Sequence, residues 1–159
     1  WVDTVGAPAT RVPTGLVGSA TNNSAVAGIA ATVTDLGASV TWTADPTHTY
    51  KTTLLTGRVD QAAAVGLVQI VIADGGNTTL RGSAWTVPSG SFAQIPVVLV
   101  ETGLTGSVTR KARGTTNAGS MTVQAGTFVL VEDITPVSVL QPRPSPDIDN
   151  PGWAGLWKG

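Results

Sequence analysis

A chain of 159 residues is one domain, or one domain with appendages, and its 42% of apolar residues is enough to build a core. Charged residues make up 12% of it and the net charge is −1, against a usual charged share of roughly 25%, so nothing electrostatic points to nucleic acid or an anionic membrane as a partner. The absence of cysteine excludes disulfides and thiolate metal sites, and no run approaches the ~18 apolar residues that a membrane helix needs.

Residues 1–23 begin with scattered glycines and prolines and no clear period, which reads as an extended N-terminal arm or linker. A first residue Trp1 in place of methionine suggests a piece of a longer polypeptide or a processed product. After a turn at Asn22-Asn23-Ser24, the stretch Ala25–Thr34 is compatible with a short helix, but Val26, Gly28, Ile29 and Val33 favour a strand.

Short apolar runs separated by turns follow. Ser39–Thr43, Thr49–Val59, Val65–Asp74, Thr78–Val87, Phe92–Glu101 and Val108–Arg113 each read as a strand. Gly75, Gly76 and Asn77 make a hairpin-type turn, because glycine and asparagine tolerate positive φ. Pro96 cannot donate a ladder hydrogen bond, which favours an edge position or a bulge for its strand.

The longest strand-like run is Ser120–Val137. Val129 and Val131 share one face and Phe128 and Leu130 the other, since strand side chains alternate. Apolar residues on both faces predict a central strand covered on both sides. About eight strands with turn signals every 8–12 residues, and no helical period, predict an antiparallel sandwich or barrel over residues 24–137.

Residues 138–159 differ in character. Pro142, Pro144, Pro146 and Pro151 favour extended, polyproline-like geometry. Trp153, Leu156 and Trp157 then form an apolar group suited to docking, on the domain itself, on a neighbouring subunit or on another protein. Trp1 is the corresponding candidate contact at the other end.

Chemistry has few candidates. His48, the single histidine, sits in a turn with Asp45, and reads as a solvated or hydrogen-bonded side chain. No G-x-S-x-G elbow, H-E-x-x-H helix or phosphate-binding glycine loop occurs in the chain. Glu132 and Asp133 are adjacent, so on a strand they point to opposite faces, a poor geometry for paired acid catalysis. They are expected to end the strand and to pair with Arg110, Lys111 or Arg113. Asp74, Asp147 and Asp149 do not make up the six to eight oxygens that calcium takes. Trp42 and Trp85 are expected in the core, although an exposed Trp85 or Tyr50 would suit stacking on a sugar. No catalytic residue, metal or cofactor is assigned.

Four stretches carry a family resemblance: Ala38–Val59, Leu67–Leu80, Thr102–Gly114 and Phe128–Pro136. In this order and spacing they resemble the C-terminal β-sandwich domain of minor tail and fibre-like proteins of phages that infect actinobacteria. Leu104, Gly106 and Thr109 match that family's L-x-G-x-x-T segment, and Phe128–Pro136 is similar to its closing strand. Two departures stand out: Thr135 occupies a position where the family usually has glycine, and Lys111 falls one residue out of step. The resemblance implies a jelly-roll-like antiparallel sandwich in a virion structural protein, a homotrimer without enzymatic activity. It would sit on the surface of the particle among other virion proteins, in the tail or, alternatively, as a decoration of the head. A carbohydrate-binding module for host cell-surface glycan is the expectation from a different class.

Overall fold

The computed structural model describes residues 15–61, 66–88 and 90–136. Trp1, Trp153, Leu156 and Trp157 lie outside them, as do residues 138–159 as a whole.

Eight long strands form two four-stranded antiparallel sheets. The first sheet has the order β1 (Leu16–Asn22), β12 (Thr127–Asp133), β4 (Thr49–Leu55) and β9 (Pro96–Thr102). The second has the order β3 (Thr34–Ala44), β10 (Gly106–Thr116), β6 (Gly66–Asp74) and β7 (Thr79–Val87). In chain order the long strands pass back and forth between the two sheets, which is the double Greek key of a jelly roll.

Four short strands complete the fold; the first lies in the stretch Ala25–Thr34 that favours a strand, and the other three were not anticipated as separate elements. The four are β2 (Val26–Ile29), β5 (Val59–Gln61), β8 (Phe92–Ala93) and β11 (Met121–Val123), and they pair in the order β2-β11-β5-β8. Each lies in a connection between a strand of one large sheet and a strand of the other, so all four crossovers at that end of the sandwich are joined into a third small sheet. The other end carries the turns at 45–48, 75–78 and 103–105, the entry into β1 and the exit from β12.

The domain starts earlier than its composition suggests. Leu16–Asn22 is a full strand paired along β12, so the expected arm of residues 1–23 gives way to sandwich at Leu16. β12 itself is interior to its sheet, between β1 and β4, as its sequence predicts. Pro96 opens β9, an edge strand, where the missing N–H removes no ladder bond. Asn77 adopts φ 75° in the β6–β7 turn, and Asp74 caps that turn by accepting from Thr78 N at 2.8 Å.

The core lies between the two large sheets. Leu36, Leu54, Ile70, Ile72, Ile95, Met121 and Val129 are completely buried there. All but Ile95, which lies in the connection before β9, come from the inward parity of their strands, seen most plainly in β3, where exposed and buried residues alternate from Asp35 to Ala44. A bulge interrupts the β3–β10 ladder at Leu36–Ala38. Gly37 takes φ 76° there, and Asn22 from the first sheet donates its Nδ2 to Leu36 O at 2.8 Å.

Candidate interaction surface

The polar side chains gather at the end of the sandwich where the chain enters and leaves. His48 precedes β4 and Asp133 closes β12; His48 Nδ1 lies 2.5 Å from Asp133 Oδ2. The other carboxylate oxygen, Asp133 Oδ1, accepts from Thr135 N and Thr135 Oγ1, while Thr135 Oγ1 accepts from Thr49 N. Burial alone would raise the Asp133 carboxyl, but the bonds from Thr135 and the bond and charge of His48 outweigh it and hold it below the ordinary aspartate value. Asp45 is likewise lowered, chiefly by the Thr47 hydroxyl and then by the Thr47 amide.

Behind this pair sits an aromatic and ionic cluster. Trp42 and Tyr50 pack with ring centroids 5.6 Å apart, and the Tyr50 hydroxyl accepts from Asp45 N. Arg110 grips Glu101 with two parallel bonds, Nε to Oε2 at 2.8 Å and Nη2 to Oε1 at 2.7 Å, and its guanidinium lies 5.8 Å from the Trp42 ring centre. Glu101 belongs to one sheet and Arg110 to the other, so the pair ties the sheets together. Every one of these contacts is internal, and the cluster reads as a clasp.

Several sequence expectations change here. Glu132 and Asp133 do point to opposite faces, but their partners are Lys51 and His48. Arg113 and Lys111 pair with Asp35 instead. Tyr50 is 4% exposed and cannot stack on a sugar; its parity places it with Thr52 and Leu54 on the inward side of β4. Trp42 is in the core as expected, at 8% exposure. Trp85 is not: it is 46% exposed, because β7 is an edge strand with little packed over it. Among the described residues no three His, Cys, Asp or Glu side chains gather as a metal site would need.

The surface feature that sequence parity only partly revealed is a contrast between the two outer faces. Over β3 and β10 the outer face is polar. Ser39 stands opposite Lys111, Thr41 opposite Thr109, and Thr43 opposite Ser107. The Thr41 and Thr109 hydroxyls lie 2.8 Å apart. This is what a solvated antiparallel face should look like.

The outer face of the first sheet is apolar. Phe128 stands opposite Leu55 and Leu55 opposite Pro96; Leu130 stands opposite Thr53 and Thr53 opposite Val98. Val100 follows, across from Lys51. Val98 and Val100 are 46% and 54% exposed, and Leu55, Phe128 and Leu130 are half-buried. The Lys51–Glu132 ion pair, at 2.7 Å, marks the boundary of the patch toward the chain exit. The second cover that the apolar parity of β12 predicts is absent among the described residues.

By strand order and sidedness the chain is a jelly-roll sandwich with one apolar outer sheet. No family model matches it, and no curated protein does. Among solved structures it is similar to the structure of infectious bursal disease virus, Gx strain, at 15% identity and a TM-score of 0.49, over 81% of this chain and 33% of that one. It is also similar to the carbohydrate binding module CBM6cm-2 from Cellvibrio mixtus lichenase 5A, solved in complex with cellotriose, at 11% identity and a TM-score of 0.31, over 74% of this chain and 97% of that one. The chain thus spans about a third of the length of the viral chain it matches.

Proposed function

We propose that this chain is a structural subunit of a phage virion, a homotrimer in a minor tail or fibre-like component. The carrying observation is the contiguous apolar patch on the outer face of the first sheet, set against the polar outer face over β3 and β10. An apolar patch grouped on one face of a sheet is often a contact site. Jelly rolls serve as building blocks of viral shells, and a chain with 12% charged residues carries little repulsion between copies. The same features suit a decoration protein of the head, which is the runner-up within this class. The chemistry of the surface is that of assembly, and no enzymatic activity is proposed.

Sedimentation of the full chain tests the reading. A trimer at micromolar concentration is expected, and Leu130→Lys should dissociate it while Thr41→Lys, on the polar face, leaves it intact. A monomeric full chain, or equal effects of the two substitutions, overturns it.

The exposure of Trp85 favours one second reading, a module that binds host cell-surface glycan. Aromatic faces on an exposed strand stack on sugars, and jelly rolls also serve as lectins. A glycan array read with the unaltered chain and with Trp85→Ala decides it: binding that the substitution abolishes supports this reading, and no binding removes it.

A further inference from the structure

The apolar sheet face is too small to hold two copies together by itself. Three strands about 4.8 Å apart and about five residues long, at roughly 3.3 Å per residue, present only about 240 Å². A stable interface takes about 800 Å² from each partner. The patch is, however, the size of one or two tryptophan side chains, which bury roughly 150–250 Å² each.

The chain supplies such an occupant. Trp153–Trp157 reads WAGLW, with no charge among its five residues. It is separated from Pro136, the last described residue, by residues 137–152, which include Pro142, Pro144, Pro146 and Pro151. At about 3.1 Å per residue for a fully extended proline-rich stretch, sixteen residues could span at most about 50 Å. Leu130, at the middle of the patch, lies only three residues back from the end of β12, or about 10 Å. A domain of this size is about 35 Å across. Drawn out, the spacer would be long enough to reach the same face on a neighbouring copy.

We propose that the outer face formed by Leu55, Phe128, Leu130, Val98 and Val100 receives the Trp153–Trp157 segment of a neighbouring copy of this chain. The inference rests on the assembly reading above. Each copy gives one segment and accepts one, a head-to-tail contact that closes when the rotation between copies completes a ring, and three copies satisfy it.

The absence of cysteine allows a direct test. One full-length chain carries Val98→Cys and a differently tagged one carries Leu156→Cys, which spares both tryptophans. The two are co-expressed and mildly oxidised. A disulfide between the two tags is expected, whereas Leu67→Cys, exposed on the other sheet, should give none with Leu156→Cys. A disulfide formed only inside a chain bearing both substitutions would show that the segment covers its own sheet, and overturns the proposal. So does equal cross-linking of Leu67→Cys. An oligomer that gives no Val98–Leu156 disulfide overturns the proposal and leaves assembly standing, whereas a monomeric chain removes assembly first.

Discussion

His48 and Asp133 meet at 2.5 Å across 85 positions of sequence, and with Thr135 they fasten the start of β4 to the end of β12 at the point where the chain leaves the sandwich. The carboxylate is buried and receives three bonds, so its ionised form is part of the folded state. Because the folded carboxyl binds its proton less readily than the unfolded one, its contribution is fully present above the unfolded pKa of about 3.9 and fades as pH falls through the folded value. Asp133→Asn should cost about 1.5–3 kcal/mol at pH 7, the worth of a hydrogen bond to a charged group. The gap from the unaltered chain should shrink below pH ~4. Urea melts at pH 7, 5 and 3 measure it, and a gap that is constant with pH would contradict the linkage.

Glu101 and Arg110 form the buried counterpart of that pair, with side chains 17% and 6% exposed. Removing one partner leaves the other charge stranded in the core. Glu101→Ala should cost about 3–5 kcal/mol, while Glu101→Leu combined with Arg110→Met should recover most of the loss. Thermal melts of the three chains check this, and a double variant as unstable as the single one would count against it.

Gly37 and Gly103 separate two costs of adding a methyl group. Both have positive φ, 76° and 71°. A Cβ at Gly103 meets open space, whereas one at Gly37 would stand 2.7 Å from Asn22 Nδ2, the group that bonds Leu36 O. Gly103→Ala should cost about 1–2 kcal/mol of backbone strain. Gly37→Ala should cost that and roughly 1 kcal/mol more for the displaced hydrogen bond. Equal losses in denaturant melts would mean that Asn22 moves aside freely.

Trp42 and Trp85 should behave in opposite ways. Trp42 is buried against Tyr50 and Arg110, and Trp42→Ala should cost about 3–5 kcal/mol. Trp85 stands half out of the edge strand, and Trp85→Ala should cost no more than about 1 kcal/mol. Fluorescence follows the same division: a soluble quencher should reach Trp85 and leave Trp42 bright.

The sequence made some of this legible. Alternation and turn residues located all the long strands except the first, and proline chemistry placed β9 at an edge. β1 was hidden because LVGSATN has small and polar residues, and its identity as a strand comes from pairing with β12 rather than from its own propensity. β5, β8 and β11 were hidden in or at the ends of longer apolar runs; Thr49–Val59, for example, has no breaker stronger than Gly57 between β4 and β5. Charge pairs could not be found at all. Lys51 with Glu132 and His48 with Asp133 follow from the register of β4 against β12, which no local pattern encodes. Parity gave the two faces of a strand, but Trp85 shows that it does not say whether anything lies over either of them.

The small sheet β2-β11-β5-β8 has a consequence for how this sandwich can be altered. Its crossovers are bound to one another: Gln124 N donates to Arg58 O, and Gly90 N to Gln61 O. Gly57 packs so closely against the backbone of Gln124 and Ala125 that a side chain there would collide with it. Residues inserted into one crossover would pull on the other three. At the opposite end the His48–Asp133 and Thr49–Thr135 bonds hold the 45–48 turn to the chain exit, but the turn at 103–105 takes no part in them, and Gly103 and Thr105 are exposed. New sequence, whether acquired by drift or grafted by design, has its natural port of entry there, on the side from which the chain itself departs.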